Sequence, residues 1–132
     1  MKKRLIIMRH AQSRWTSGAT TDHQRPLNKR GRRAAPLVGA RLLAIGWIPD
    51  LVIASDSQRT QETWQRMQAE FPDSIDERFN SDFYHGGLAD IANACARLTN
   101  DISTVLVLGH NPGWEDAVAE LAGQWVRMTT AN

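Results

Sequence analysis

Three short, unbroken apolar runs stand out along the chain: Leu5-Ile6-Ile7-Met8, Leu51-Val52-Ile53-Ala54 and Thr104-Val105-Leu106-Val107-Leu108. Such runs are expected of β-strands covered on both faces, since a strand with one wet face alternates apolar with polar positions. Residues 74–79 form a weaker candidate strand, polar enough to lie near a sheet edge. Between the runs the apolar spacing becomes helical. Thr60, Trp64, Met67 and Phe71 make one stripe, with Asp56 or Ser57 as its N-cap. Leu88, Ile91, Cys95 and Leu98 make another. Asn111 and Pro112 read as N-cap and first residue of a further helix, with Glu115 and Asp116 in its first turn and Trp114, Ala117, Val118 and Leu121 as its buried face. Residues 28–45 are helical by pattern, although Pro36 must kink that helix or mark a late start. This alternation predicts an α/β layered sheet. From Val126 to Asn132 the chain begins what reads as another strand and then stops.

No internal repeat, low-complexity tract or Gly/Ser linker interrupts the pattern, so residues 1–132 are expected to form a single domain with one real core. Apolar residues at 42% and charged residues at 23% exclude a disordered or collagen-like chain. The lone cysteine, Cys95, excludes an internal disulfide framework and a cysteine-based zinc site. Its place on a helical stripe makes it a core thiol rather than a nucleophile. A reducing, cytoplasmic setting is the simplest expectation. Met1-Lys2-Lys3-Arg4 resembles the charged start of a signal peptide, but the apolar run after it is short and stops at Arg9-His10. No stretch approaches the ~18 apolar residues that span a bilayer, so no membrane partner is expected.

The net charge is only +2, but it is unevenly spread. Residues 1–66 carry 13 Lys/Arg against 4 Asp/Glu, and residues 67–132 carry 3 against 10. A basic half suits nucleic acid, a membrane or small anions. The residues that follow each strand narrow the choice. Arg9 and His10 follow the first run, and Ser55 and then Arg59 follow the second. Asp82, Tyr84 and His85 come after the weak candidate, and Gly109-His110-Asn111-Pro112-Gly113 after the last run. In a parallel sheet these ends share one edge, where ligands bind. Two arginines among helix N-termini make an anion site, because guanidinium and backbone N–H groups both match phosphate oxygens. Metal is the rival for paired histidines. Metal-type spacing such as His-x-x-x-His is absent and Arg9 beside His10 would repel a cation, so no metal or cofactor is expected. There is no Gly-x-x-x-x-Gly-Lys-Ser/Thr loop for P-loop chemistry. The basic run Lys29, Arg30, Arg32, Arg33 and Arg41 lacks interleaved aromatics for base stacking, so it reads as a solvated helix face and no nucleic-acid partner is expected.

These residues are also recognisable. Leu5-Ile6-Ile7-Met8-Arg9-His10-Ala11 resembles the Arg-His-Gly signature of the histidine phosphatase superfamily, in its phosphohistidine phosphatase (SixA-like) branch. Asp22-His23-Gln24-Arg25-Pro26-Leu27-Asn28-Lys29-Arg30-Gly31 resembles the branch's Asp-x-x-Arg-Pro-Leu-x-x-x-Gly segment. Pro49-Asp50-Leu51-Val52, then Ser55-Asp56-Ser57-Gln58-Arg59-Thr60 and Thr63, resemble its second block, and Val107-Leu108-Gly109-His110-Asn111-Pro112-Gly113 its third. Two departures stand out: Ala11 replaces the usual Gly, and Asp56 follows Ser55 where Ser-Pro is common, placing a negative charge near the site.

The resemblance implies a three-layer α/β/α sandwich with a mostly parallel, phosphoglycerate mutase-like sheet. That fold continues past the Met128-Thr129-Thr130 region with a further strand and often a helix, so the chain looks one strand short. The edge left open puts stability or dimerisation in doubt, with a homodimer among the expected partners. The resemblance also implies a metal-independent phosphatase in which His10 attacks phosphorus and becomes a phosphohistidine. Arg9, Arg59 and His110 would hold the phosphoryl oxygens, with Arg25 helping from the Arg-Pro-Leu loop. Cations around His10 would depress its pKa and neutralise the charge in transfer. Asp82 falls about where relatives place a general acid, His85 is either site rim or loop, and His23 is expected to face solvent. The implied substrate is a phosphohistidine-bearing protein or a small phosphorylated molecule. A phosphotransferase or mutase of the same superfamily, or a non-catalytic phosphate-binding module, are the alternatives.

Overall fold

The computed structural model describes residues 3–14 and 21–132, so Met1 and Lys2 of the signal-like start lie outside the described residues. Four strands, β1 (Arg4–Arg9), β2 (Leu51–Ala54), β3 (Asp76–Phe79) and β4 (Thr104–Gly109), form a parallel sheet in the order β1-β4-β2-β3. The apolar runs fall where expected. The weak candidate is β3, an edge strand exposed along its length, which explains its polar composition.

Alternation within the two central strands divides the core. Val52, Ala54, Leu106 and Leu108 face α1 (Lys29–Ala44) and α2 (Gln58–Gln68), with Trp64, Met67 and Phe71 filling that layer. Leu51, Ile53, Val105 and Val107 face α3 (Leu88–Ala96) and α4 (Gly113–Ala122), where Phe83, Ile91 and Trp114 pack. The result is the expected α/β/α sandwich. Trp64 and Trp114 are fully buried, one in each layer.

Four local expectations are corrected. Pro36 does not mark a late start: its helix begins at Lys29 and runs through it. Asn28 Oδ1 accepts the Gly31 N–H at 2.8 Å as N-cap, and the proline forfeits only one intrahelical N–H within a helix clamped against α2. Pro112, not Asn111, occupies the N-cap position of α4, after a cis peptide bond. The Asn111 amide instead donates to the Met128 carbonyl at 2.9 Å. Leu121 is 56% exposed rather than buried, because the chain turns at Gly123 (φ +73°) without returning over it. Cys95 is half-buried rather than a full core residue, and burial raises its pKa. It lines a hollow of about 400 Å³ at the opposite end of the sheet from the strand C-termini, beside Leu5 and Leu98.

The strand anticipated from Val126 does not form. Met128 spends its N–H on Glu115 Oε2 (2.8 Å) and its carbonyl on Asn111 and Arg9, so its backbone groups go to side chains rather than a ladder. Two backbone bonds then join the chain end to the end of β1, Ala131 N to the His10 carbonyl at 2.9 Å and Arg9 N to the Asn132 carbonyl at 2.8 Å.

Candidate active site

The C-terminal ends of β1, β4 and β2 open into a pocket of about 450 Å³. The ladder continues one residue past each strand: His10 N bonds the Gly109 carbonyl at 3.0 Å and Ser55 N the Leu108 carbonyl at 3.0 Å. His10, Ser55 and His110 are therefore set by sheet register rather than by loop conformation. Gly31 lets the first turn of α1 lie against this rim, since a Cβ there would sit 2.0 Å from the Gln12 carbonyl oxygen.

His10 is buried, and its Nδ1 lies 2.7 Å from the Ala11 carbonyl. A carbonyl only accepts, so Nδ1 carries the proton and Nε2 keeps its lone pair. The turn after His10 is held by Thr63 on α2, whose hydroxyl accepts the Ala11 N–H at 3.0 Å. Burial first, then Arg59, Arg9 and Arg25, lower the His10 pKa to about 4, against the opposing hydrogen bond that Nδ1 donates to the Ala11 carbonyl. Cations do contribute as expected, but desolvation is the larger cause.

His110 packs 5.0 Å from His10, ring centre to ring centre. Its Nδ1 is 3.3 Å from Arg59 Nη2, which can only donate, so Nε2 carries the proton and donates to Ser55 Oγ at 2.9 Å. Burial, followed by His10 and Arg59, holds the His110 pKa well below the ordinary imidazole value. Both rings are thus neutral and tautomerically defined. Arg59 sits in the first turn of α2, whose N-cap Ser57 accepts the Thr60 N–H. Arg59 is 5% exposed, and the Nε atoms of Arg9 and Arg59 are buried with no hydrogen-bond partner among the described residues.

Arg9, His10, Arg25, Arg59 and His110 all line this pocket, and Asp82 does not. The structure places Asp82 apart from it: Asp82 lies in a 3₁₀ turn (Ser81–Phe83) and borders a separate hollow with Arg78 and Arg97. The reason is rotational. Three residues complete a 3₁₀ turn, so with Phe83 buried in the core its neighbours Asp82 and Tyr84 diverge to opposite sides. Tyr84 and His85 take the pocket side.

The carboxylate that does enter the pocket is Asp22, from the 3₁₀ turn Asp22–Gln24. Its Oδ1 accepts from Arg25 Nε at 3.1 Å and pairs with Nη2 at 3.0 Å; its Oδ2 accepts from Arg59 Nη2 at 3.2 Å and from the Tyr84 hydroxyl. The Asp22 backbone carbonyl accepts from Arg59 Nη1 at 2.8 Å. The Tyr84 hydroxyl first, then Arg25 and Arg59, hold the Asp22 carboxyl well below the usual carboxylate range despite opposing desolvation. Asp22 opens the Asp-x-x-Arg-Pro-Leu segment, whose pattern gives it no role of its own. Only its position three residues before Arg25 hinted that both would face the same pocket. His23 is half-exposed and pairs with Asp56 at 2.9 Å, so the Asp56 charge is turned onto His23. Among the described residues, no cluster of three or more His, Cys, Asp or Glu has the arrangement of a metal site, and no helix is long and apolar enough to cross a membrane.

A family model described as histidine phosphatase superfamily (branch 1) matches residues 5–84. An uncharacterised chloroplastic protein of Arabidopsis thaliana is 37% identical over all of this chain, and an uncharacterised protein of Mycobacterium tuberculosis is 33% identical over 80% of it. The chain spans 65% and 63% of the lengths of these relatives. Among solved structures, a candidate phosphohistidine phosphatase SixA from Agrobacterium tumefaciens superposes with a TM-score of 0.84 at 26% identity, covering 93% of this chain and 79% of that one. The protein histidine phosphatase SixA complexed with tungstate superposes at 0.85, covering 96% and 83%; at 24% identity this is a likeness of fold.

Proposed function

This chain belongs to the histidine phosphatase superfamily, and on that premise we propose that it is a phosphatase working without a metal, through a covalent phosphohistidine on His10. One observation carries the reading. The buried His10 has its proton fixed on Nδ1 by the Ala11 carbonyl, leaving the Nε2 lone pair in a pocket lined by three arginines. A neutral imidazole is the reactive form, and a pKa of about 4 keeps it so at neutral pH.

The chemistry is a double displacement. The Nε2 lone pair attacks phosphorus in line, the bond from phosphorus to the leaving group breaks, and the phosphoryl rests on His10. Water then attacks phosphorus, the N–P bond breaks, and inorganic phosphate leaves with His10 restored. Arg9 and Arg59, each with an unsatisfied buried Nε–H, hold the equatorial oxygens, and Arg25 adds charge from the motif loop. His110 closes the third side: the bound dianion offsets the burial that keeps this ring neutral, and Nδ1 becomes a donor to phosphate once Arg59 Nη2 turns from it to the phosphate. Removing one such donor costs roughly 3–4 kcal/mol of transition-state stabilisation.

Among the described residues, no carboxylic acid in the pocket is placed to protonate a poor leaving group, because Asp22 is held ionised and Asp82 lies elsewhere. The reading therefore favours substrates whose leaving groups depart readily, a protein phosphohistidine or an activated small phosphoester, over alkyl phosphates. The likeness to the Agrobacterium protein supports the first of these. Hydrolysis of p-nitrophenyl phosphate is expected to persist in EDTA, and His10→Ala to reduce it to background. Acid-labile phosphate retained on the wild-type protein after rapid quenching marks the intermediate. Phosphate binding without turnover of p-nitrophenyl phosphate or of a phosphohistidine protein would support a binding module instead.

A further inference from the structure

Tyr84 meets four residues that line the pocket (Asp22, Arg59, His85 and His110). Its hydroxyl donates to Asp22 Oδ2. Its ring lies 5.7 Å from the Arg59 guanidinium and meets the edges of His110 at 5.3 Å, His23 at 4.9 Å and His85 at 4.3 Å between centroids. The Asp22 carboxylate that receives the hydroxyl is also the one that receives Arg25 and Arg59. Three loops far apart in sequence, after β1, β2 and β3, thus meet on one carboxylate, and the loop after β3 reaches it only through Tyr84.

We propose that Tyr84 is a positioning residue: its hydroxyl, acting through Asp22, fixes the orientation in which Arg25 and Arg59 meet a phosphoryl group. The proposal rests on the function given above. An arginine on a long stem binds a phosphoryl group at full strength only if its orientation is set before the substrate arrives. Arg59 achieves this with two anchors on Asp22, the side chain and the backbone carbonyl. Asp22 is itself in an exposed turn, its side chain 56% accessible, so its own direction needs a fixed partner. Tyr84 is that partner because its neighbour Phe83 is fully buried and anchors the loop to the core. The hydroxyl also occupies a carboxylate lone pair that would otherwise be free to draw one of the arginines out of line.

Charge and positioning can be separated. Asp22→Asn changes the pocket's charge as well as its geometry, and on charge alone would tighten anion binding by removing a repulsive carboxylate. Tyr84→Phe is neutral for neutral and keeps the ring against Arg59 and His110. The measurements are calorimetric binding of inorganic phosphate and steady-state hydrolysis of p-nitrophenyl phosphate. Tyr84→Phe is expected to weaken phosphate binding and raise KM by about fivefold, the scale of one ordinary hydrogen bond, with kcat within about twofold. Added to Asp22→Asn it should change neither quantity further, since the route runs through Asp22. The inference is overturned if Tyr84→Phe binds phosphate like the wild type, or if its effect is undiminished in the Asp22→Asn background. If the wild-type protein binds phosphate without hydrolysing p-nitrophenyl phosphate or a phosphohistidine protein, the proposed catalysis fails, while the binding comparison still decides the role of Tyr84.

Discussion

Two 3₁₀ turns in this molecule are built almost alike and have opposite relations to the pocket. Each is three residues long, each follows a capping side chain (Thr21 or Asn80), and each carries an aspartate in its first turn, Asp22 or Asp82. Asp22 joins Arg25, Arg59 and Tyr84 at the strand C-termini, whereas Asp82 borders an outer hollow beside α3. What separates them is whether a buried residue lies beside the aspartate and fixes its direction. Phe83 anchors the second turn and sends Asp82 outward. The first turn has no buried residue, and polar contacts alone hold it over the pocket. An acidic side chain following a strand is thus a poor guide to a site until the rotation of its turn is known.

The largest effect that sharpens this contrast is on Asp22. Replacing it with Ala is expected to lower kcat/KM for p-nitrophenyl phosphate by on the order of 100-fold, because both arginines lose their orientation at once. If the carboxylate only repelled the substrate, the same variant would be faster than wild type, so the sign of the change decides between the two roles.

A smaller effect concerns His10, where burial and the arginines act in the same direction. NMR titration of the free protein should place its midpoint near 4, with the proton on Nδ1. Arg59→Met should raise that midpoint only part of the way to an ordinary histidine, since burial is the leading cause. The sign for stability follows. A histidine with a depressed pKa in the folded state resists a proton that the unfolded chain accepts. Folding free energy should therefore fall as pH drops from about 6.5 toward 4. Thermal midpoints across that window should decline less steeply in His10→Gln.

Most of the fold was legible because its strands are buried on both faces, which leaves continuous apolar runs that few other structures need. Arg9, His10 and His110 were legible for the same reason: each abuts such a run and inherits its position from sheet register. Asp22 and Tyr84 were not, because their partnership joins residues 62 positions apart through two irregular loops, and no periodicity marks it. The α4 cap failed on competition between partners. Asn111 has the chemistry of an N-cap, but its amide is used by the Met128 carbonyl, which a local reading does not foresee. Pro36 does not delay its helix, since packing of α1 against α2 outweighs one lost hydrogen bond.

The smallest expected effect belongs to the other turn. Asp82→Ala should leave kcat and KM for p-nitrophenyl phosphate within about twofold of wild type, as for most surface changes away from a site. The Asp82 N–H is received by Asn80, so the turn keeps its cap when the carboxylate is removed, and Phe83 keeps Tyr84 in place. A general acid behaves differently. Its loss would slow a substrate with a poor leaving group, such as glycerol phosphate, far more than it slows p-nitrophenyl phosphate. The ratio of the two rates is therefore the quantity to measure in Asp82→Ala. An unchanged ratio keeps Asp82 outside the chemistry, and a ratio shifted tenfold or more, on the order of what general-acid assistance supplies, would require the loop after β3 to turn its acid inward during catalysis.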